Sequence, residues 1–160
     1  MANQVNKSKG PGVYIPPPLF YVLTFLTSSF VQKRIPLSDA VFQTEAIKFG
    51  GIILLIISLF FLVSSLRQFL KTKNTLVLIK PAASLQTTGI YGISRNPMYA
   101  GLAIVYLGLA CLIGNWWTFI LFPLLFLIVQ EYIIKHEEKY LAVEFGNEYE
   151  KYKKIVRRWL

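Results

Sequence analysis

Two stretches of the chain stand out as long, apolar and uncharged. Phe49 to Leu66 runs for 18 residues, and Trp116 to Gln130 for 15 before Glu131 interrupts it. Crossing a hydrocarbon core takes about 20 apolar residues in a helix, so both read as membrane spans. Leu19 to Val31 and Tyr99 to Ile113 are shorter apolar runs that reach this length by borrowing their flanks. The pattern predicts four helices.

Punctuation between the runs sets the boundaries. Pro16 to Pro18 form a stiff lead-in, with Leu19 opening the first helix, and Lys33-Arg34-Ile-Pro36 closes it. The second helix is expected from about Ala46 to Leu70. Residues 72–97 hold Asn74, Pro81, Ser84, Thr87, Thr88, Gly89 and Gly92, a segment too polar and too interrupted to span lipid. Pro97 suits the first position of the third helix, where a missing N–H costs nothing. Gly101 and Gly108, seven apart, share a face suited to close helix contact. Gly114-Asn115 reads as a tight turn and Trp116-Trp117 as interface aromatics, so helices three and four form an antiparallel hairpin. Beyond it, Leu141, Phe145, Tyr149, Tyr152, Val156 and Trp159 recur at helical spacing beside many lysines and arginines. They predict a C-terminal amphipathic helix over 137–160, with a potential break at Gly146, lying on the bilayer or over the hairpin.

Composition and charge agree with a membrane chain. Of the 160 residues 54% are hydrophobic, and mean hydropathy is positive, as expected for one domain embedded in lipid. The net charge of +9 raises the question of nucleic acid, but the positions of the charges argue against it. In a four-helix arrangement 14 of the 17 Lys and Arg residues fall on one side, which the positive-inside rule makes cytoplasmic, together with both termini. Anionic lipid headgroups account for that basic face. The polar 1–18 tail lacks the features of a cleaved secretory signal and is expected to be retained. Cys111, alone in an apolar run, makes neither a disulfide nor a thiolate site, and a lone His136 predicts no metal centre.

Two motifs carry the candidate chemistry. The first is Thr88-Gly-Ile-Tyr-Gly-Ile-Ser-Arg-Asn-Pro-Met-Tyr-Ala-Gly101. The second, past the hairpin, is Glu137-Glu138 followed by Phe145-Gly146, Tyr149, Tyr152, Val156 and Arg158-Trp159. Over residues 75–159 this pairing resembles the isoprenylcysteine carboxyl methyltransferase and phospholipid methyltransferase group of integral membrane enzymes. The resemblance implies an all-α protein with four transmembrane helices. It further implies S-adenosylmethionine as methyl donor, bound at the cytoplasmic face, and a lipophilic acceptor entering from the bilayer, such as an isoprenylcysteine-like carboxylate. Arg95 and Glu138 would then be the catalytic pair. Gln86, Thr88, Gly89, Tyr91, Arg95, Asn96, Tyr99 and Glu137 would hold the cofactor. Asn96 stands where many members of the group have histidine, so no ring nitrogen is offered there for proton transfer.

Plainer readings stand beside these. Arg95 also fits an anchor for lipid phosphate, Tyr99 an interface aromatic, and Glu137-Glu138 a solvated cluster with Lys135 and Lys139. Adjacent acids on a helix diverge by about 100°, so one can face the ligand while the other faces Arg95 or solvent. Glu131, one turn before Lys135, reads as a simple ion pair. Gly89 and Gly92 do not compose a dinucleotide-binding glycine loop. The alternative enzyme is an NADPH-dependent sterol-reductase-like protein, which shares the aromatic tail. The non-enzymatic alternative, a small four-helix transporter or scaffold, would need polar groups at mid-membrane, where these runs carry only Ser and Thr.

Overall fold

The computed structural model describes residues 10–72 and 82–160, so part of the 1–18 tail and part of the 72–97 loop lie outside the described residues. Among the described residues six α-helices succeed one another: α1 (Pro17–Arg34), α2 (Glu45–Lys71), α3 (Pro97–Ile113), α4 (Trp116–Ile128), α5 (Lys135–Phe145) and α6 (Asn147–Ile155). Short 3₁₀ turns at Ala40–Gln43 and Gly89–Gly92 precede α2 and α3, and a π-helical turn, Val129–Ile134, joins α4 to α5. No strand occurs among the described residues.

The helix ends follow their local chemistry. α1 begins two residues before Leu19, because Pro17 and Pro18 occupy first-turn positions that need no N–H donor. Asn115 caps α4 by accepting a hydrogen bond from the Trp117 N–H, and Gly114 takes the left-handed conformation (φ 73°) that ends α3. Pro123 sits inside α4, a position tolerated in apolar helices flanked by others.

α2 and α3 make the most extensive helix pair. A Cβ at Gly51 would lie 3.0 Å from the Gly108 carbonyl oxygen, and one at Gly101 would lie 2.9 Å from Leu62. The expected glycine face of α3 is therefore where the two backbones close, as small residues allow. α1 packs on α4, and the core between them is built from Tyr21, Tyr99, Tyr106, Leu125, Val129 and Ile133.

The outer face of α2 leaves Phe49, Ile52, Ile56, Leu59, Phe60 and Leu70 exposed, a surface suited to lipid. By length and composition, α2 and the continuous helix Trp116–Phe145 are long and apolar enough to cross a membrane; α3 is apolar but shorter. This is the surface of a membrane protein.

The C-terminal region differs from a single helix over 137–160. The chain leaves α4 without a break, passes through the π-helical turn into α5, and reverses at Gly146 (φ 48°, ψ −121°). α6 ends at Ile155, and Val156 begins an extended segment. The aromatic stripe packs on protein: Tyr149, Tyr152 and Val156 bury themselves against Leu85, Leu141, Ala142 and Phe145. A flat bilayer could not offer the main-chain partners described below.

Candidate functional site

At one end of the bundle the start of α3 meets the returning C-terminal segment. The Arg95 N–H donates to the Arg157 carbonyl at 2.9 Å. Ser94 Oγ and Asn96 Nδ2 both donate to the Arg158 carbonyl, at 3.3 and 3.0 Å. Asn96 stands at the N-cap of α3, yet its amide serves the tail and makes no cap. Gly146 makes this closure possible, since its positive φ turns α6 back and an L side chain there would be strained.

Three charges sit within that closure. Glu138 Oε1 lies 3.1 Å from an Arg95 Nη, and Glu138 is gripped by Arg158 through Nε at 2.9 Å and Nη2 at 2.7 Å. The fork of Arg158 matches the carboxylate, as planar guanidinium geometry allows. Arg95 also donates to Tyr149 Oη at 3.2 Å. Burial, then the charge of Glu138, pushes the Tyr149 hydroxyl up to about 12, so it stays protonated. The Arg95 side chain is only 9% exposed and its buried Nε has no acceptor among the described residues. Two guanidiniums against one carboxylate leave a net positive charge and one buried donor unused.

Glu137 is arranged differently. Its Oε1 accepts a 2.7 Å hydrogen bond from Tyr99 Oη, and Tyr99 is itself fixed by the Tyr21 hydroxyl donating to its carbonyl. No cation pairs with Glu137 among the described residues. It lies beyond the apolar part of its helix, and burial of the carboxyl raises it to about 7, with the Tyr99 hydrogen bond opposing and Glu138 adding to the rise.

The loop before α3 forms an adjoining wall. Gln68 Nε2, near the end of α2, donates to Gln86 Oε1 at 3.2 Å and Thr88 Oγ1 at 3.0 Å. Gly89 takes a left-handed conformation, φ 63°, beside Gln68. Tyr91 is buried, with its ring tilted on Phe69 and its carbonyl accepting from Tyr152 Oη at 2.6 Å. Its hydroxyl is raised by burial and then by the charge of Glu137.

Arg95, Asn96, Tyr99, Glu137 and Glu138 therefore converge, with Tyr91 beside them, while Gln86, Thr88 and Gly89 line the α2 side. Glu131 pairs with Lys135 on the surface, apart from this cluster. Sequence reasoning left out Arg158, Tyr149, Ser94 and Gln68. Arg158 and Tyr149 belong to the tail motif and were legible as part of it, but nothing in their spacing says that they reach Glu138 and Arg95. Ser94 and Gln68 carried no signal. No cluster of His, Cys, Asp and Glu suited to a metal occurs among the described residues.

Known proteins are similar to parts of this chain. A 72-residue stretch is 42% identical to the protein-S-isoprenylcysteine O-methyltransferase of Schizosaccharomyces pombe, covering 45% of this chain and 30% of that protein. Another match, 36% identical over 63 residues, covers 39% of this chain and the whole of an uncharacterized protein of Haemophilus influenzae. The chain thus spans about a third of the length of the fission yeast relative. No solved structure matches. The model of the phospholipid methyltransferase family matches residues 47–148, from the second residue after the start of α2 to the start of α6. The first motif, the hairpin and the Glu137-Glu138 and Phe145-Gly146 part of the second motif fall within that range, and the chain belongs to the phospholipid methyltransferase family.

Proposed function

We propose that this protein transfers a methyl group from S-adenosylmethionine to a lipophilic acceptor at the cytoplasmic face of a membrane, with α1 to α4 spanning the bilayer and both termini cytoplasmic. The observation that carries this reading is the unpartnered, buried Nε of Arg95 inside a charge cluster built from both motifs. A buried donor without an acceptor costs about 1–3 kcal/mol, so it is a natural place for an anionic ligand group to complete.

The residues present fit the donor's functional groups. Arg95 and Arg158 suit its carboxylate, Glu137 suits a cationic centre that needs an unpaired acid, and the wall of Gln86, Thr88, Gly89, Tyr91 and Asn96 suits ribose and base. When bound, S-adenosylmethionine supplies an already activated methyl. The chain's own work is then to orient and to exclude water. Glu138, held by two arginines, fixes the directions of their guanidinium planes, and Tyr149 steadies Arg95 from the other side. Tyr99 holds Glu137 towards the same space.

The acceptor is an isoprenylcysteine-like carboxylate or a related lipid, arriving sideways from the bilayer. An open apolar groove of about 630 Å³, between the start of α1 and the end of α4, offers hydrocarbon a surface at this end of the bundle. Ile15, Phe20, Leu127 and Ile128 line it.

Calorimetry in detergent tests the cofactor. Binding of S-adenosylmethionine is expected in the micromolar range, about 8 kcal/mol, weakened by about 1.5–3 kcal/mol in Arg95→Ala. Binding of NADPH with no response to the methyl donor would overturn the proposal in favour of a reductase.

A further inference from the structure

The helix that leaves the bilayer carries one residue more than an α-helix needs. At Val129–Ile134 the hydrogen bonding widens, and the Lys135 N–H donates to the Gln130 carbonyl, five residues back. Such turns are rare, and they commonly absorb a single extra residue without disturbing the helices on either side.

The inward face of α4 runs through Thr118, Leu125 and Val129, all buried. Continued at about 100° per residue, an unbroken α-helix would place His136 within about 20° of Val129 and Glu138 about 180° away, facing out. Absorbing one residue subtracts about 100°, which brings Glu137 within about 20° of the inward direction and Glu138 to about 80°. The observed burial follows the second pattern. Ile134 is buried, Glu137 and Glu138 are partly buried and bonded inward, and Lys135, His136 and Lys139 are exposed.

We infer that the π-helical turn is the register device of the site, turning Glu137 and Glu138 towards Tyr99 and Arg95 in place of His136. Its meaning for binding rests on the methyl-transfer reading, whereas its geometry does not. The turn also meets the returning tail, since Trp159 Nε1 donates to Gln130 Oε1 at 3.2 Å and the indole stacks on Phe126. That contact holds the extra residue at this place along the helix.

Changing the length of this segment by one residue in each direction tests the inference. In a plain α-helix, one residue added or removed turns the acids away equally. Here, deletion of exposed Tyr132 lets the turn relax to α-helix with the acids still inward, so S-adenosylmethionine affinity stays within about threefold of the parent. Insertion of one alanine between Ile134 and Lys135 rotates α5 and lowers affinity by at least about thirtyfold. Equal losses from both changes would overturn the inference. Should the insertion variant fail to assemble, the deletion alone decides, because an ordinary helix would lose binding on it.

A second readout is independent of the cofactor. In a Cys111→Ala background, His136→Cys should react fast with a water-soluble maleimide at native length and after the deletion, and at least about tenfold slower after the insertion, which turns position 136 inward. Identical rates at all three lengths sink the register device. The expected labelling with no donor binding by any form sinks the methyl-transfer reading and leaves the register device standing.

Discussion

Where α3 turns into α4, Ser28 Oγ lies 2.9 Å from Thr118 Oγ1, Asn115 Nδ2 reaches Ser28, Tyr106 Oη donates to the Thr118 carbonyl and Trp117 Nε1 donates to the Ile35 carbonyl. Each of these groups is neutral and partnered. At the opposite end, where α3 begins, the buried groups include charges, and among the described residues two remain incomplete: Arg95 Nε has no acceptor and Glu137 no cation. Neutral, closed networks fix how helices meet and ask for nothing further. Charged groups in a weakly screening environment are costly when left incomplete, and proteins keep them where a ligand finishes the set. The contrast separates polar residues that build the bundle from those that serve it.

The sharpest way to break this contrast is Glu138→Ala. It leaves Arg95 and Arg158 facing each other without their shared carboxylate, at a cost of about 3 kcal/mol in folding together with loss of donor binding. Thermal unfolding in detergent beside calorimetry checks both. An unchanged Tm would mean that the near end is as dispensable as a surface ion pair.

Glu137→Gln is next, weakening the methyl donor by about 1.5–3 kcal/mol. It also carries a pH signature. Because the carboxyl is raised to about 7, the free protein gains stability from its protonated form below the ordinary carboxylate range and loses it as pH rises through 7. A cationic ligand needs the ionised form, so donor affinity should rise from pH 6 to pH 8 in the parent and stay flat in Glu137→Gln. A parent profile as flat as the variant's would show that Glu137 does not meet the ligand's charge.

At the far end, Ser28→Ala removes a fully buried hydroxyl and strands Asn115 and Thr118, costing about 1–2 kcal/mol of stability. Donor affinity of the folded protein should not move. A loss of binding would mean that the two ends are coupled through α1 and α4. The smallest effect belongs to Glu131→Gln. Glu131 and Lys135 are each about half exposed, and Lys135 holds the Glu131 carboxyl below its ordinary value. Neither Tm nor binding should change measurably, which would separate this acid from the pair six and seven residues on.

Much of the bundle was legible because its determinants are local. Uninterrupted apolar runs marked α2 and α4, Pro97 and Gly114 marked the ends of α3, and the spacing of Gly101 and Gly108 marked a face of close helix contact, which the fold gives to α2. The hairpin alone required that the two motifs return to one end, and they do. The same locality failed at the C-terminus. A helical stripe says that one face is apolar but not what covers it, so Tyr149 and Tyr152 gave no hint that they would seat against Leu85 and α5.

The residues that complete the cluster were decided only in three dimensions. Arg158 reaches Glu138 because Gly146 reverses the chain and the tail pairs with residues 94–96, an arrangement of long-range hydrogen bonds with no period along the sequence. The choice of Glu138 for Arg95 and Glu137 for Tyr99 depends on a turn that widens by one residue, and a π turn has no apolar spacing of its own by which to be seen. The chain by itself determined which segments are apolar, where they stop and which chemistry returns to one end. The direction in which each acid points depends on the packing of α4, α5 and the tail, because a single residue of helical register turns a side chain by about 100°.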